Sequence, residues 1–310
     1  MKLGLSSYLT SIATALLGGC GGGEISAPPF DGSRAYQYLH EQVNLGPRVP
    51  GSASSAAARN YYVRHFQSAG LTVDSQKVFF KDPYSDNTLP LVNISARFEG
   101  TGGASDRILL AAHYDCRPRT DNAFDSSKRN DPIAGANDGA SGVAILMELA
   151  NLFKLKAPEV SVDLVLFDGE DWGKASELDY YSLGSKAFAQ TPIREKYRFG
   201  IVLDMVGDLD QQIYREVYSE QFQKPLNDMI WEVAATLKVP TFIDTTRHTV
   251  IDDHLPLNIG GVPTVDIIDF DYPYWHTEMD TPDKCSAAAL ANVGKIVAHI
   301  AYNKQLWPKN

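Results

Sequence analysis

The chain reads as an α/β protein, a three-layer α/β/α sandwich around a twisted, mixed and mostly parallel sheet. Three observations predict this. First, strand-like apolar runs alternate with helical patterns from residue 33 onward. Second, four runs end in acidic or imidazole side chains, at residues 108–115, 165–171, 201–204 and 265–270. Open α/β sheets present functional groups at the carboxyl ends of their strands, and carboxylates gathered there are costly unless a cation or substrate satisfies them. Third, 310 residues of ordinary globular composition suffice for one large core, and no interior composition shift marks a second domain.

The elements follow in order. Residues 33–43 carry Ala35, Tyr38, Leu39 and Val43 at helical spacing. A Gly-Pro-Arg-Val-Pro-Gly-Ser loop spans 46–52, and Ser52 or Ser54 then caps a helix through residue 66 that ends near Gly70. Residues 72–80 alternate as a strand. Residues 91–98 and 108–113 are the next two strands, split by a glycine-rich turn at 100–103. Residues 120–137 form a long polar loop, a length often reserved for function. Residues 142–155 place Val143, Leu146, Leu149, Ala150 and Phe153 on one side of a helix. A strand at 162–167 leads to an irregular loop at 172–181 and a short helix at 184–189. Strands are expected at 200–204, 240–243 and 261–266, with helices at 225–237 and 287–302.

The N-terminus lies apart from this fold. Met1-Lys2 supplies a positive charge, and residues 3–17 are apolar but too few to span a bilayer. Residues 1–20 therefore read as a secretory signal. Its Leu17-Gly18-Gly19-Cys20 ending resembles a bacterial lipobox, which implies lipidation at Cys20. Residues 21–32 are a flexible linker, and 33–310 a single catalytic domain. Gly21 is not the aspartate that marks inner-membrane retention in such lipoproteins, so an outer-membrane anchor facing the periplasm or the exterior is expected. A net charge of −10 without a basic stripe argues against nucleic acid as a partner. Cys116 and Cys285 could form a disulfide in an oxidising compartment or remain two separate buried thiols.

Any single motif is weak, because an Asp at a strand end is often only a turn former. The ordered set is specific: His113-Tyr114-Asp115, the Gly-Ala-Asn-Asp-Gly-Ala-Ser-Gly run around Asp138, Asp168-Gly169-Glu170-Asp171, Leu203-Asp204, Asp252-Asp253-His254, and Trp275-His276-Thr277. With these residues the chain resembles the zinc aminopeptidase-like family, in particular its glutaminyl-peptide cyclotransferase branch, over about residues 33–305. The resemblance implies that Asp138, Asp171 and His276 bind zinc and that Glu170 is the acid/base residue. One imidazole and two carboxylates also make a chemically sound three-ligand zinc site with an open position. Asp171 stands where many members carry glutamate. Being one methylene shorter, it needs a closer backbone approach at 169–173 to reach a metal.

His113 and Asp204 match the second-metal ligands of the dinuclear aminopeptidases, which would make two zinc ions per chain. The cyclase branch keeps both residues with one zinc. Asp252 and Trp275 favour the cyclase, where the tryptophan lines the pocket for a glutamine side chain and the acids join a network with Glu170 and Asp204. The expected reaction turns the N-terminal glutamine of a peptide or protein into pyroglutamate with loss of ammonia. The alternatives are a dinuclear zinc aminopeptidase and a lipoprotein that only binds peptides. Asp115 is read as the partner orienting His113, His254 as a buried histidine holding its loop, and His248 as a surface residue. Tyr272 and Tyr274 belong either to loop packing or to a pocket rim.

Overall fold

The computed structural model describes residues 27–103, 106–191 and 197–309. The signal segment, Cys20 included, and the first half of the linker lie outside the described residues. Two capped helices open the chain. Asp31 accepts from the Arg34 amide at the start of α1 (Gly32–Asn44), and Ser52 accepts from the Ser55 amide at the start of α2 (Ala53–Ser68). There follow β1 (Thr72–Lys81), β2 (Thr88–Phe98), β3 (Arg107–His113), α3 (Ala140–Leu155), β4 (Ser161–Phe167), α4 (Leu183–Gln190) and β5 (Tyr197–Asp204). The remainder is β6 (Ile213–Glu216), α5 (Val217–Thr236), β7 (Phe242–Arg247), α6 (His254–Ile259), β8 (Thr264–Ile268) and α7 (Ala287–Tyr302).

Six strands form a mixed sheet in the order β1-β2-β4-β3-β5-β8. β2 is antiparallel to both β1 and β4, whereas β3, β4, β5 and β8 run parallel. The register pairs His113 with Phe167 and Asp204 with Ile268, so four strands end at one edge. That common edge is where the acidic and imidazole residues emerge. β6 and β7 form a separate parallel pair.

The period-2 alternation of β3 divides the core. Ile108, Leu110 and Ala112 join one cluster with α1, α2, α3, α5 and α7. Leu109 and Ala111 join Val165, Phe167 and Val202 on the other face, covered by Leu257 of α6 and Phe188 of α4. Helices on both faces make the three layers. β3 and β4 are buried throughout, which explains their unbroken apolar sequences.

Several expectations shift. α3 is buried almost all round rather than on one side, because α1 and α7 pack outside it. Its one buried charge, Glu148, is held by Arg34 of α1 at 2.5 Å. α5 begins eight residues before Pro225, which reads as a helix start but lies just beyond a kink at Gln223 (φ −136°, ψ 41°). Glu216 is the true cap, accepting from the Tyr218 and Ser219 amides at 2.9 and 2.6 Å. β6 and α6 carry no clear periodicity in the sequence, being only 4 and 6 residues long. Cys116 and Cys285 are both free and buried, so the disulfide alternative falls away.

Close packing of α3 on the sheet needs Gly142. A Cβ there would stand 2.2 Å from the Leu203 carbonyl oxygen and 2.8 Å from the Ala112 Cβ. Gly142→Ala is therefore expected to destabilise the fold. Overpacking against backbone costs up to about 3 kcal/mol, more than the roughly 1 kcal/mol that alanine returns in helix propensity. Denaturant titration should give a net loss of about 2 kcal/mol; an unchanged midpoint would show that the helix shifts freely.

Candidate metal centre and active site

β3 delivers His113 and, two residues on, Asp115. The buried Asp115 carboxylate accepts the amides of Glu170 and Asp171 at 3.1 and 3.2 Å, and its Oδ1 lies 3.4 Å from His113 Nδ1. Asp115 thus faces the His113 ring at ion-pair distance, the place from which it is expected to orient it. It also draws the turn after β4 inward, which supplies the closer backbone approach that the short Asp171 requires.

Asp138 comes from the loop before α3. Arg48, fully buried, donates to the carbonyls of Tyr114, Ala134 and Gly135 at 2.9, 3.1 and 2.6 Å. Asp280 accepts the amides of Asn137 and Asp138 at 2.8 and 3.2 Å, and takes a further bond from the Tyr272 hydroxyl at 2.8 Å. Tyr272 is therefore packing rather than pocket rim. Gly139 ends the loop with φ +98°, where a side chain would also strike the Asp115 carbonyl at 2.7 Å.

Five predicted residues converge in two overlapping groups. Asp138, Asp171 and His276 each offer a ligand atom within 4.8 Å of the others, and so do His113, Asp138 and Asp204. Asp138 is common to both: its Oδ1 lies 3.2 Å from His113 Nε2, and its Oδ2 lies 3.8 Å from His276 Nε2. His113 Nε2 is 3.0 Å from Asp204 Oδ1. His276 Nε2 is 3.3 Å from Asp171 Oδ1. The Oδ2 atoms of Asp138 and Asp171 are buried without a hydrogen-bond partner. Unpaired buried carboxylate oxygens beside an imidazole ligand are what a divalent cation would satisfy, so this donor set fits zinc.

The groups open into a cleft of about 360 Å³, walled by Glu170, Asp204, Asp252, Phe270, Trp275 and His276 among others. The Trp275 ring stacks on His276 with centroids 3.9 Å apart, and Phe270 packs on Trp275 at 5.2 Å. Trp275 is thus a cleft wall. His276 itself takes a positive φ of 58°, a strained conformation of the kind that collects at functional sites. Glu170 is buried, with its Oε1 3.3 Å from the Ser182 hydroxyl that donates to it. His254 is fully buried, as expected, with Nε2 3.3 Å from Glu216 Oε2. His248 is only half-exposed and lies 3.0 Å from Asp271.

Burial sets the protonation of this cluster. Burial and the neighbouring Asp252 push the Glu170 carboxyl well above its ordinary range. Burial drives Asp204 up to about 7, against the pull of His113. Asp269 and Asp168 are likewise pushed up to about 7 by burial. Burial works against the charge on His113, but Asp204, Asp115 and Asp138 raise it well above an ordinary imidazole. Asp171 is the exception: burial opposes, yet His276 and Arg117 hold it down at about 2. The raised aspartates bind more protons folded than unfolded over roughly pH 4 to 7, and His113 does so above about pH 6.5, so stability falls as pH rises through these windows. Asp171 acts in the opposite sense only below about pH 4. The zinc-free chain should therefore melt at a lower temperature at pH 8 than at pH 5.5, read by calorimetry. A flat or rising profile would refute this assignment of charges.

Sequence reasoning missed Arg117 and Asp280. Arg117 is fully buried and donates to Asp171, Asp121 and Tyr181. No spacing marks either residue, because the partners that tie them to the site, Asp171 and the Asp138 amide, lie far off along the chain.

Residues 93–301 match the profile of peptidase family M28. The chain belongs to this family. A glutaminyl cyclase of Bacteroides thetaiotaomicron, solved with N-acetylhistamine bound, is 35% identical, covers 90% of this chain and 99% of its own, and superposes with a TM-score of 0.85. A leucine aminopeptidase precursor from the same organism is also 35% identical, over 90% and 99%, with a TM-score of 0.86. Among curated proteins, a glutaminyl-peptide cyclotransferase of Bothrops jararaca is 26% identical over 81% of this chain and 75% of its own. Within M28, then, similarity reaches both cyclases and a protein named as a peptidase, and the side chains of the cleft must separate them.

Proposed function

We propose that this protein is a zinc-dependent glutaminyl-peptide cyclotransferase, converting the N-terminal glutamine of peptides or proteins to pyroglutamate with release of ammonia. The observation that carries this reading is the cleft itself. Trp275 stacks on His276 as one wall, and Glu170, Asp204 and Asp252 gather around the same space. A flat indole suits the planar side-chain amide of glutamine, and the acids suit its α-ammonium group.

Asp138, Asp171 and His276 would hold the zinc. When bound, zinc supplies Lewis-acid polarisation of an amide oxygen. The substrate's own α-amine attacks the γ-carbonyl carbon, so no protein nucleophile is needed. One C–N bond forms and the amide C–N bond breaks. Glu170 accepts the proton from the attacking amine and delivers it to the departing nitrogen, which leaves as ammonia. Asp204, with Asp252 beside it, orients the amine. The attack is intramolecular, so orientation supplies much of the rate.

The His113, Asp138 and Asp204 group favours a second reading, a dinuclear aminopeptidase. One assay separates the readings: purified protein with Gln- and Leu-initiated dipeptides, with and without chelator. Ammonia released from the Gln peptide without cleavage supports the cyclase. Free leucine would overturn it in favour of the peptidase, and no turnover of either by zinc-loaded protein would leave a binding module. The single catalytic domain at 33–310 is proposed to be tethered through a lipid on Cys20, exported to the periplasm or cell surface. Membrane fractionation of wild type and Cys20→Ser tests this, with release of the variant as the expected result.

A further inference from the structure

Arg117 lies two residues past Asp115 and is fully buried beside the candidate zinc ligands. Its guanidinium divides between two carboxylates. Nη1 donates to Asp171 Oδ1 and lies 3.4 Å from the Asp171 carbonyl, while Nε donates to Asp121 Oδ2 at 2.8 Å and Nη2 to the same oxygen. Nη2 also lies 3.1 Å from the Tyr181 hydroxyl, and the Tyr181 ring centroid lies 5.5 Å from the guanidinium carbon.

We propose that Arg117 is the positioning residue that presents Asp171 to zinc. This rests on the reading of Asp138, Asp171 and His276 as ligands. Asp171 has two oxygens. Arg117 occupies Oδ1, whereas Oδ2 is buried without a partner. The fork pins Oδ1, which also lies 3.3 Å from His276 Nε2, and so fixes the rotamer in which Asp171 faces its fellow ligand, with Oδ2 left unpartnered. An aspartate in place of the longer glutamate needs that help. Asp115 draws in its amide, and Arg117 holds its carboxylate at Oδ1. A planar fork can serve Asp171 and Asp121 together; a lysine ammonium on a flexible stem cannot. Outer partners of this kind orient ligands in metal sites generally.

The test measures zinc affinity directly, by competition with a chromogenic chelator on stripped protein. Arg117→Met, Arg117→Lys and Asp121→Asn are compared with wild type, and circular dichroism with thermal melting confirms that each stripped variant is folded. Arg117→Met should weaken zinc binding about 10- to 100-fold, and Arg117→Lys should fail to restore it. At saturating zinc, kcat should fall while KM for a Gln peptide changes little. Asp121→Asn, which removes only the outer leg of the fork, should keep wild-type zinc affinity. Wild-type affinity in folded Arg117→Met would overturn the proposal. So would an equal loss in Asp121→Asn, which would make Arg117 a tether for the loop at 118–134. If Arg117→Met does not fold, Arg117→Lys decides, and wild-type affinity there overturns the proposal. Zinc affinity is read without substrate, so a wild type that binds zinc yet leaves Gln peptides unchanged would overturn the proposed function alone.

Discussion

Glu170→Gln is expected to lower kcat for a Gln-initiated peptide by about 10²- to 10⁴-fold while zinc content and fold stay at wild-type levels. The substitution keeps the shape of the side chain and removes only its capacity to take a proton. The backbone of residue 170 is pinned by Asp115 and the side chain is reached by Ser182, so an amide should occupy the same place. Glu170 is suited to the task because burial and the Asp252 charge lift its carboxyl well above the ordinary range. That brings it towards the α-amine of a peptide, whose pKa is about 8. An acid so raised can accept a proton from the amine and return it to the leaving nitrogen. It must be ionised to begin, so kcat/KM should fall on the acid side, and Asp252→Asn should move that limb to lower pH by removing a neighbouring negative charge. Metal analysis, circular dichroism and an ammonia assay check the first claim. If Glu170→Gln kept more than about a tenth of wild-type kcat, the proton would have to pass through another group, and Asp204 would be the first to examine.

Much of this site was legible in the sequence because parallel strands aligned their ends. Once β3, β4, β5 and β8 are read as parallel neighbours, His113, Asp171 and Asp204 must lie along one edge. Helix α7 begins and ends where its apolar pattern says, because Ser286 caps it and its buried residues recur through to Tyr302. β6, α6 and the first turns of α5 were not legible. They are short or capped in ways that local patterning does not record, and Pro225 hid the true start of α5. Arg117 and Asp280 escaped for another reason. Each acts on a residue 54 or 142 positions away, and a lone Arg or Asp in a loop carries no sign of such a partner. The shortness of Asp171 was the one available signal, since a ligand lacking a methylene needs outside support.

Stripping zinc should abolish turnover, on the order of 10³-fold or more, because the proposed chemistry relies on Lewis-acid polarisation of the amide that zinc would supply. Restoring about one equivalent per chain should return full activity, and a second should add nothing. Asp138→Ala is expected to match the stripped enzyme. Asp138 reaches both His113 and His276, so its loss disables either metal arrangement and cannot by itself tell them apart. His113→Ala can. In a one-zinc cyclase His113 is a charged neighbour of Asp204 and Asp138, and its removal should impair kcat while a full equivalent of zinc stays bound at Asp138, Asp171 and His276. In a two-zinc peptidase the same change should cost half the metal. Titration of stripped wild type and His113→Ala with zinc, followed by metal content and ammonia release, makes the distinction. A requirement for two equivalents in the wild type would assign the His113, Asp138 and Asp204 group to a second ion. It would also move Asp204 from holding a substrate amine to holding a metal, and the cyclase reading would lose its means of orienting the nucleophile.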